Sequence, residues 1–384
     1  MALTHLSIPT ELVDQIVSEV VASGRRDDVD TVTFALYKED HLVFLRHIIS
    51  LYSWLAPFVH EVTLKFTKWA DGKAQIPGQY LMPVLDALPQ LAPQLQTVIF
   101  DEAHSDAWSC RAMSRYLRSL PPVATLKLQH CRLRIMDIKM FLRGFPNLQH
   151  LDITGSLLSG DSKLALTAAD VSSLSSLRLK VWGTNSSTGS LSLPPKVIKL
   201  LTSSIVMNGV SCLSLGTQTT SGDVWDGVLG ALLRAAGPSL KCLKWVDEIP
   251  SITLETYLQE GAIDLSSNVR LHTLVIANMT SSYRTVDGTQ LARVLNKAER
   301  DAALQSYAAL LSQPRFHSLA EIYFVIGWVR IRGRPPTAVE QINEAVRNVF
   351  ATFVVKGVVV KAVVQKIARV ISDEWEQETI AEGK

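Results

Sequence analysis

The chain has 384 residues, enough for one large repeat domain or two ordinary ones. It is 47% hydrophobic and 19% charged, which excludes a mostly disordered chain. Thirty-eight basic residues against 36 acidic leave a formal charge of +2, which gives no drive toward bulk binding of nucleic acid or an anionic membrane.

Cys110, Cys131, Cys212 and Cys242 form no Cys-x-x-Cys pair, and the nine histidines are scattered. Neither a zinc site nor a disulfide framework is expected from that spacing, and no cofactor motif is present. Glu11, Asp14 and Glu19 interrupt the N-terminus, so no signal peptide is read there. The apolar run 353–371 carries Lys356, Lys361, Lys366 and Arg369, too many charges for a lone spanning helix. The expectation is a soluble protein of the cytoplasm or nucleus.

In chain order, Pro9 suits a first helical turn, and Leu12, Val13, Ile16, Val17 and Val20 then share one face. On periodicity this is a helix that covers the exposed end of a repeat array. A polar Gly-Arg-Arg-Asp-Asp loop follows, and Val32-Thr33-Phe34 reads as a strand. Leu42, Phe44, Leu45, Ile48 and Ile49 form a second helical face.

From residue 59 onward a pattern repeats. Apolar residues at offsets 0, +3 and +5 recur from Val59, Leu95, Val123, Leu148, Leu174, Val210, Leu240, Leu271 and Leu319, with gaps of 36, 28, 25, 26, 36, 30, 31 and 48 residues. In a chain this apolar the template fits by chance at roughly one position in ten, so it needs support. Proline supplies it, standing two residues before the anchor at Pro57, Pro93, Pro121, Pro146 and Pro238. Proline ends a helix and pushes its predecessor into extended backbone.

Helical faces recur between the anchors. Trp108, Ala112, Tyr116, Leu117 and Leu120 form one, and Ile135, Ile138, Phe141, Leu142 and Phe145 another. Val224, Trp225, Val228, Leu229, Leu232 and Leu233 form a third. The long gaps call for inserted loops, placed at 183–192 and 281–289. After a basic turn at 330–336, Ala338, Val339, Ile342 and Val346 read as a helix. Val360, Val363, Val364, Ile367 and Ile371 fit a helical period, while their valine content fits a strand.

The unit Leu-x-x-Leu-x-Leu with a proline ahead resembles a leucine-rich repeat. The expected fold class is α/β, a leucine-rich-repeat-like solenoid with a parallel concave sheet, convex helices and helical caps at both ends. The expected division is 1–30, an N-terminal helical segment; 31–336, the solenoid; and 337–384, the C-terminal cap.

One stretch carries a misleading catalytic signal. Thr97-Val98-Ile99-Phe100-Asp101-Glu102-Ala103-His104 looks like the strand of a helicase that ends in Asp-Glu-Ala-His. That chemistry needs a Gly-x-x-x-x-Gly-Lys-[Ser/Thr] loop to cradle phosphates, and the chain has none. No Gly-x-Ser-x-Gly elbow, Gly-x-Gly-x-x-Gly fingerprint or His-Glu-x-x-His pair is present either. The chain is therefore read as non-enzymatic, and the strand as a repeat.

Within each repeat strand, offsets +3 and +5 point inward and +2 and +4 outward. The +4 row reads Thr63, Ile99, Lys127, Asp152, Arg178, Ser214, Lys244, Val275 and Tyr323. Lys127, Arg178 and Lys244 make its middle mildly basic, with Asp152 among them and His150 in the neighbouring +2 row. These residues, with Tyr323, are the candidate partner-binding set. One reading is an ordinary solvated face; the other is a surface for a partner with acidic or phosphorylated side chains.

Leu6-Ser7-Ile8-Pro9-Thr10-Glu11-Leu12-Val13-Asp14-Gln15-Ile16 resembles the opening of an F-box. The second half of that box departs from the pattern: a polar loop stands where a Leu-Val-x-Arg-x-Trp-like helix belongs, so the box reads as truncated. Leu55-Ala56-Pro57-Phe58-Val59-His60-Glu61-Val62-Thr63-Leu64 is similar to the lead into the first repeat of fungal F-box proteins with leucine-rich repeats. That resemblance implies a substrate-recognition subunit of a cullin-RING ubiquitin ligase, with a protein substrate on the concave face. Leu6, Pro9, Leu12 and Ile16 would then contact a Skp-type adaptor. The alternative is a free-standing repeat scaffold that recruits no ligase.

Overall fold

The computed structural model describes residues 31–35, 53–66, 78–105, 108, 110–154, 157–159, 174–181, 199–217, 228–247, 265–278, 283–286, 289–292, 304–309, 311–329 and 338–367, and structural statements below concern these. The chain divides into two compact units, Met1–Leu148 and Gln149–Lys384.

In the first unit, β1 (Thr31–Ala35), β2 (Glu61–Lys65), β3 (Thr97–Asp101) and β4 (Thr125–Gln129) pair in that order, all parallel. Between them lie α1 (Gly78–Leu91) and α2 (Cys110–Ser119). A short strand β5 (Arg132–Arg134) then leads into α3 (Ile135–Gly144).

The second unit runs β6 (His150–Thr154), the short β7 (Leu157–Ser159), β8 (Ser176–Val181), α4 (Ser204–Met207), β9 (Cys212–Thr217), α5 (Val228–Ala236), β10 (Cys242–Asp247) and β11 (Thr273–Asn278). It continues through β12 (Tyr283–Val286), β13 (Thr289–Ala292), β14 (Glu321–Val329), α6 (Ala338–Val349), α7 (Ala351–Val355) and β15 (Val359–Ile367). Its parallel sheet is ordered β6-β8-β9-β10-β11-β14-β15. Each unit is thus an α/β, leucine-rich-repeat-like stack of strand and helix.

All nine anchors sit two residues before an observed strand, and the residues at 0, +3 and +5 are buried in every one of them. Burying each such side chain contributes about 1.5–3 kcal/mol before chain entropy is offset. From β2 to β4 and from β6 to β14 the amides at +1 and +2 donate to the +1 carbonyl of the preceding strand: Ala124 and Thr125 to Gln96, Lys241 and Cys242 to Ser211, His272 and Thr273 to Lys241. That shared geometry fixes one register, so equal offsets become neighbours along the sheet.

The helices cover the +3/+5 side. Phe100 at +5 of β3 meets Phe141 of α3 at a ring-centroid distance of 4.9 Å and Trp108 at 6.1 Å. Helices α2 and α3 lie so close that a Cβ on Gly144 would stand 2.7 Å from Leu117 Cβ. Three of the five prolines act as expected, with α1 ending before Pro93, α2 before Pro121 and α3 before Pro146, whereas Pro57 lies inside a 3-10 helix, Ser53–Phe58, and Pro238 inside the short one, Gly237–Ser239, that follows α5.

Several expectations are sharpened or amended. The helix α1 contains Pro83 and Pro89, yet Leu81, Val84, Leu85, Leu88 and Leu91 bury a continuous stripe. The insertion expected at 281–289 holds the antiparallel hairpin β12–β13, whereas the one at 183–192 lies outside the described residues. The valine-rich C-terminal segment is strand β15, in parallel register with β14 from Glu321↔Val359 to Val329↔Ile367. Within the expected C-terminal cap, helices α6 and α7 are therefore followed by a further sheet strand. β-branched residues gain more from that ladder than from a helix, where their χ1 freedom is lost. Gly357, at φ +83°, makes the left-handed turn into it. The F-box-like helix 1–30 and the helical face at 42–49 lie outside the described residues.

Candidate functional site

Among the described residues the helices cover only one side, so each sheet keeps an open face made by the +2 and +4 rows. Parallel sheets ordinarily bury both faces and read as continuous apolar runs. Here the strands alternate: in β4, Leu126 and Leu128 are buried while Thr125, Lys127 and Gln129 are half-exposed.

In the first unit Lys127 lies at +4 of β4, and its Nζ donates to Glu61 Oε2 at 3.0 Å. Glu61 is at +2 of β2, so the ion pair spans β3 and passes over Ile99. Ile99 occupies the same face yet is only 6% exposed. In the second unit Asp152 of β6 and Arg178 of β8 are register partners, with Arg178 Nη1 at 3.3 Å from Asp152 Oδ2. Thr154 Oγ1 donates to the other carboxylate oxygen at 2.5 Å. His150 is exposed at +2 of β6, and Lys244 is exposed at +4 of β10.

Ser214 separates Lys244 from Arg178 in the row, and Val275 separates it from Tyr323, each step of two strands being about 10 Å. The structure thus brings Asp152 and Arg178 together and spreads the other candidates along the rows. Glu61 from the +2 row and Asp152 within the +4 row offset much of the positive charge of Lys127 and Arg178. Such half-exposed pairs contribute about 0–1 kcal/mol each, so their geometry orients the side chains more than it stabilises the fold.

The +2 row holds what the +4 row did not reveal: Glu61, Glu321, and Cys212 beside Cys242. Glu321 Oε2 accepts from Thr273 Oγ1 at 3.0 Å. Reading both rows of the repeat together is the step that finds these residues, since each is a +2 position.

The Asp-Glu-Ala-His stretch has a structural role in the first unit. Asp101 ends β3, and its carboxylate accepts from His130 Nδ1–H at 3.1 Å and pairs with Lys65 at 3.4 Å. Burial pushes the Asp101 carboxyl up, but the His130 hydrogen bond and the Lys65 ammonium outweigh it and hold it below the usual carboxylate range. Glu102 and His130 follow β3 and β4 at the same repeat position, both in left-handed backbone, with φ 58° and 53°. The carboxylate therefore clasps consecutive turns.

Among the described residues no group of three or more His, Cys, Asp or Glu is placed to hold a metal ion. Among them, too, no helix is long and apolar enough to cross a membrane.

No protein-family model matches the chain, and no curated protein matches it. Among solved structures, it is similar to the leucine-rich repeat-containing protein LegL7 from Legionella pneumophila. The two are 12% identical, with a TM-score of 0.45, over 84% of this chain and 90% of that one.

Proposed function

We propose that this protein is a non-enzymatic interaction module whose open sheet face receives a protein partner. The observation that carries the reading is the alternation within β2, β4, β8, β10, β11 and β14. Inward residues are buried, while the +2 and +4 rows present hydroxyls, charges and a tyrosine side by side. Such a surface has a fixed spacing and little conformational entropy to lose, which suits recognition of an extended or folded partner.

We further propose that the module serves a cullin-RING ubiquitin ligase inside the cell, with Leu6, Pro9, Leu12 and Ile16 meeting a Skp-type adaptor. The resemblance at residues 6–16 supports this. The partner class is one with acidic or phosphorylated side chains, which would compete with Glu61 for Lys127 and with Asp152 for Arg178, and meet Lys244 directly.

The full chain, immobilised and incubated with a purified Skp-type adaptor, should retain it, and Leu12→Asp should abolish retention. No retention by the unaltered chain would instead favour a free-standing scaffold. Lys127→Glu combined with Arg178→Glu should keep adaptor binding and weaken the partner. Unchanged partner affinity in that variant would remove the case for the basic face.

A further inference from the structure

We propose that Cys212 and Cys242 form a dithiol site on the open face that reacts with hydroperoxides and closes to a reversible disulfide. They are register partners on the adjacent parallel strands β9 and β10. Both occupy +2, so both side chains emerge on the same face, and both are free and half-exposed. Adjacent strands stand about 4.8 Å apart, inside the roughly 4.4–6.8 Å that Cα atoms span in a disulfide. Register partners keep their Cβ atoms about as far apart as their Cα atoms, beyond the roughly 3.8 Å of a relaxed bridge. The bond therefore forms under strain, and thiols reopen it readily.

The surroundings give the two sulfurs different roles. The Cys242 thiol donates to Cys212, and this hydrogen bond is the main reason the Cys212 thiol is pulled down to about 6. Burial opposes that shift, while the Lys244 ammonium and a hydrogen bond from Ser176 add to it. Cys242 moves the opposite way: the hydrogen bond it gives, burial and the Cys212 charge all favour its thiol form, and Glu321 on its side of the row adds to them. Only Lys244 opposes them. With the Ser176 hydroxyl as register neighbour of Cys212, and the Glu321 carboxylate on the far side of Cys242, Cys212 takes the part of the thiolate nucleophile and Cys242 that of the resolving thiol.

In the first step Cys212 Sγ attacks one peroxide oxygen. The O–O bond breaks, and the leaving oxygen takes a proton as alcohol or water. Cys212 is left as a sulfenic acid, so the peroxide is reduced by two electrons and the sulfur is oxidised by two. In the second step Cys242 Sγ attacks that sulfur. Its S–H proton leaves with the sulfenic hydroxyl as water, and the S–S bond forms. The buried Cys131, whose thiol donates to the Phe100 and Gln129 carbonyls, is an internal control with a purely structural role.

The test uses the full reduced chain, treated with a few equivalents of hydrogen peroxide, alkylated, digested without reductant and mapped by mass spectrometry. The expected result is a peptide pair linked through Cys212 and Cys242, with Cys131 still alkylated, and complete reversal by dithiothreitol. In Cys242→Ser, dimedone should trap a sulfenic acid on Cys212. In Cys212→Ser, dimedone labelling of Cys242 should fall at least tenfold below that. The proposal is overturned if the linked pair is absent from the unaltered protein, if the bridge forms between chains, or if Cys212 passes directly to sulfinic acid. Mapping of the unaltered chain decides the matter even if a serine variant fails to fold.

Discussion

Asp137 is the sharpest test of how the first unit is held together. It is fully buried near the start of α3. One carboxylate oxygen accepts from Trp108 Nε1–H at 3.0 Å and the other from the Arg134 backbone N–H at 2.7 Å. It thus accepts from a helix-terminal donor and from the one polar atom of a tryptophan packed among Phe66, Phe100 and Phe141. Asp137→Ala strands both donors, at about 1–3 kcal/mol each where water cannot reach. The Arg134 guanidinium, 3.9 Å away and half-exposed, adds little. The expected loss is about 3 kcal/mol, which at a slope of about 2 kcal/mol/M lowers the urea midpoint by about 1.5 M. Asp137→Asn keeps an acceptor for Trp108 but turns a donor toward the Arg134 N–H, and should lose about half as much. Urea titrations followed by circular dichroism, with Trp108→Phe as the second arm of a double-mutant cycle, measure the coupling, expected at about 1–2 kcal/mol. A change under about 0.5 kcal/mol for Asp137→Ala, or additive arms, would refute the reasoning.

Other predictions follow from single contacts. Gly144→Ala places a Cβ 2.7 Å from Leu117 Cβ and Cδ1, so α2 and α3 must separate and stability should fall by about 1–3 kcal/mol; an unchanged melting temperature would contradict the close approach. Asn268 is 2% exposed and donates to the carbonyls of Leu233 and Gly237, at the end of α5 and just beyond it, at 2.9 and 2.8 Å. Asn268→Ala should cost about 2 kcal/mol in the second unit, read by urea unfolding, and a neutral result would show that those carbonyls need no cap. Asp101 has its folded pKa lowered, so its contribution is present above the unfolded value and is lost as pH falls through the lowered one. The stability gap between the unaltered protein and Asp101→Asn should therefore be full at neutral pH and close below about pH 4; a gap that is constant in acid would mean the clasp does not act through charge.

The residues that face the core made the fold legible. Leu148, Leu151 and Ile153 repeat because three inward positions per strand must be apolar, and Pro146 marks where a helix has to stop. The same logic hid α1, whose Pro83 and Pro89 look like breakers although its leucine stripe outweighs two lost backbone bonds. It also hid β15 as a repeat, because Gly357 stands at the anchor position, where the pattern looks for an apolar residue. The open face was legible as a row but not as contacts. Lys127 meets Glu61 diagonally across an intervening strand, a distance of 66 residues along the chain. Cys212 and Cys242 are 30 residues apart, one repeat, and only the register turns that interval into adjacency.

The central claim is that recognition happens on the open sheet face and not on the helical side. A photo-crosslinking amino acid placed at Lys244, on that face, and separately at Arg234, exposed on α5, tests it within the full-length protein in intact cells. Recognition by the sheet predicts a discrete protein adduct from position 244, lost in the Lys127→Glu, Arg178→Glu background, and none from position 234. The same adduct from position 234 with nothing from 244 would contradict it.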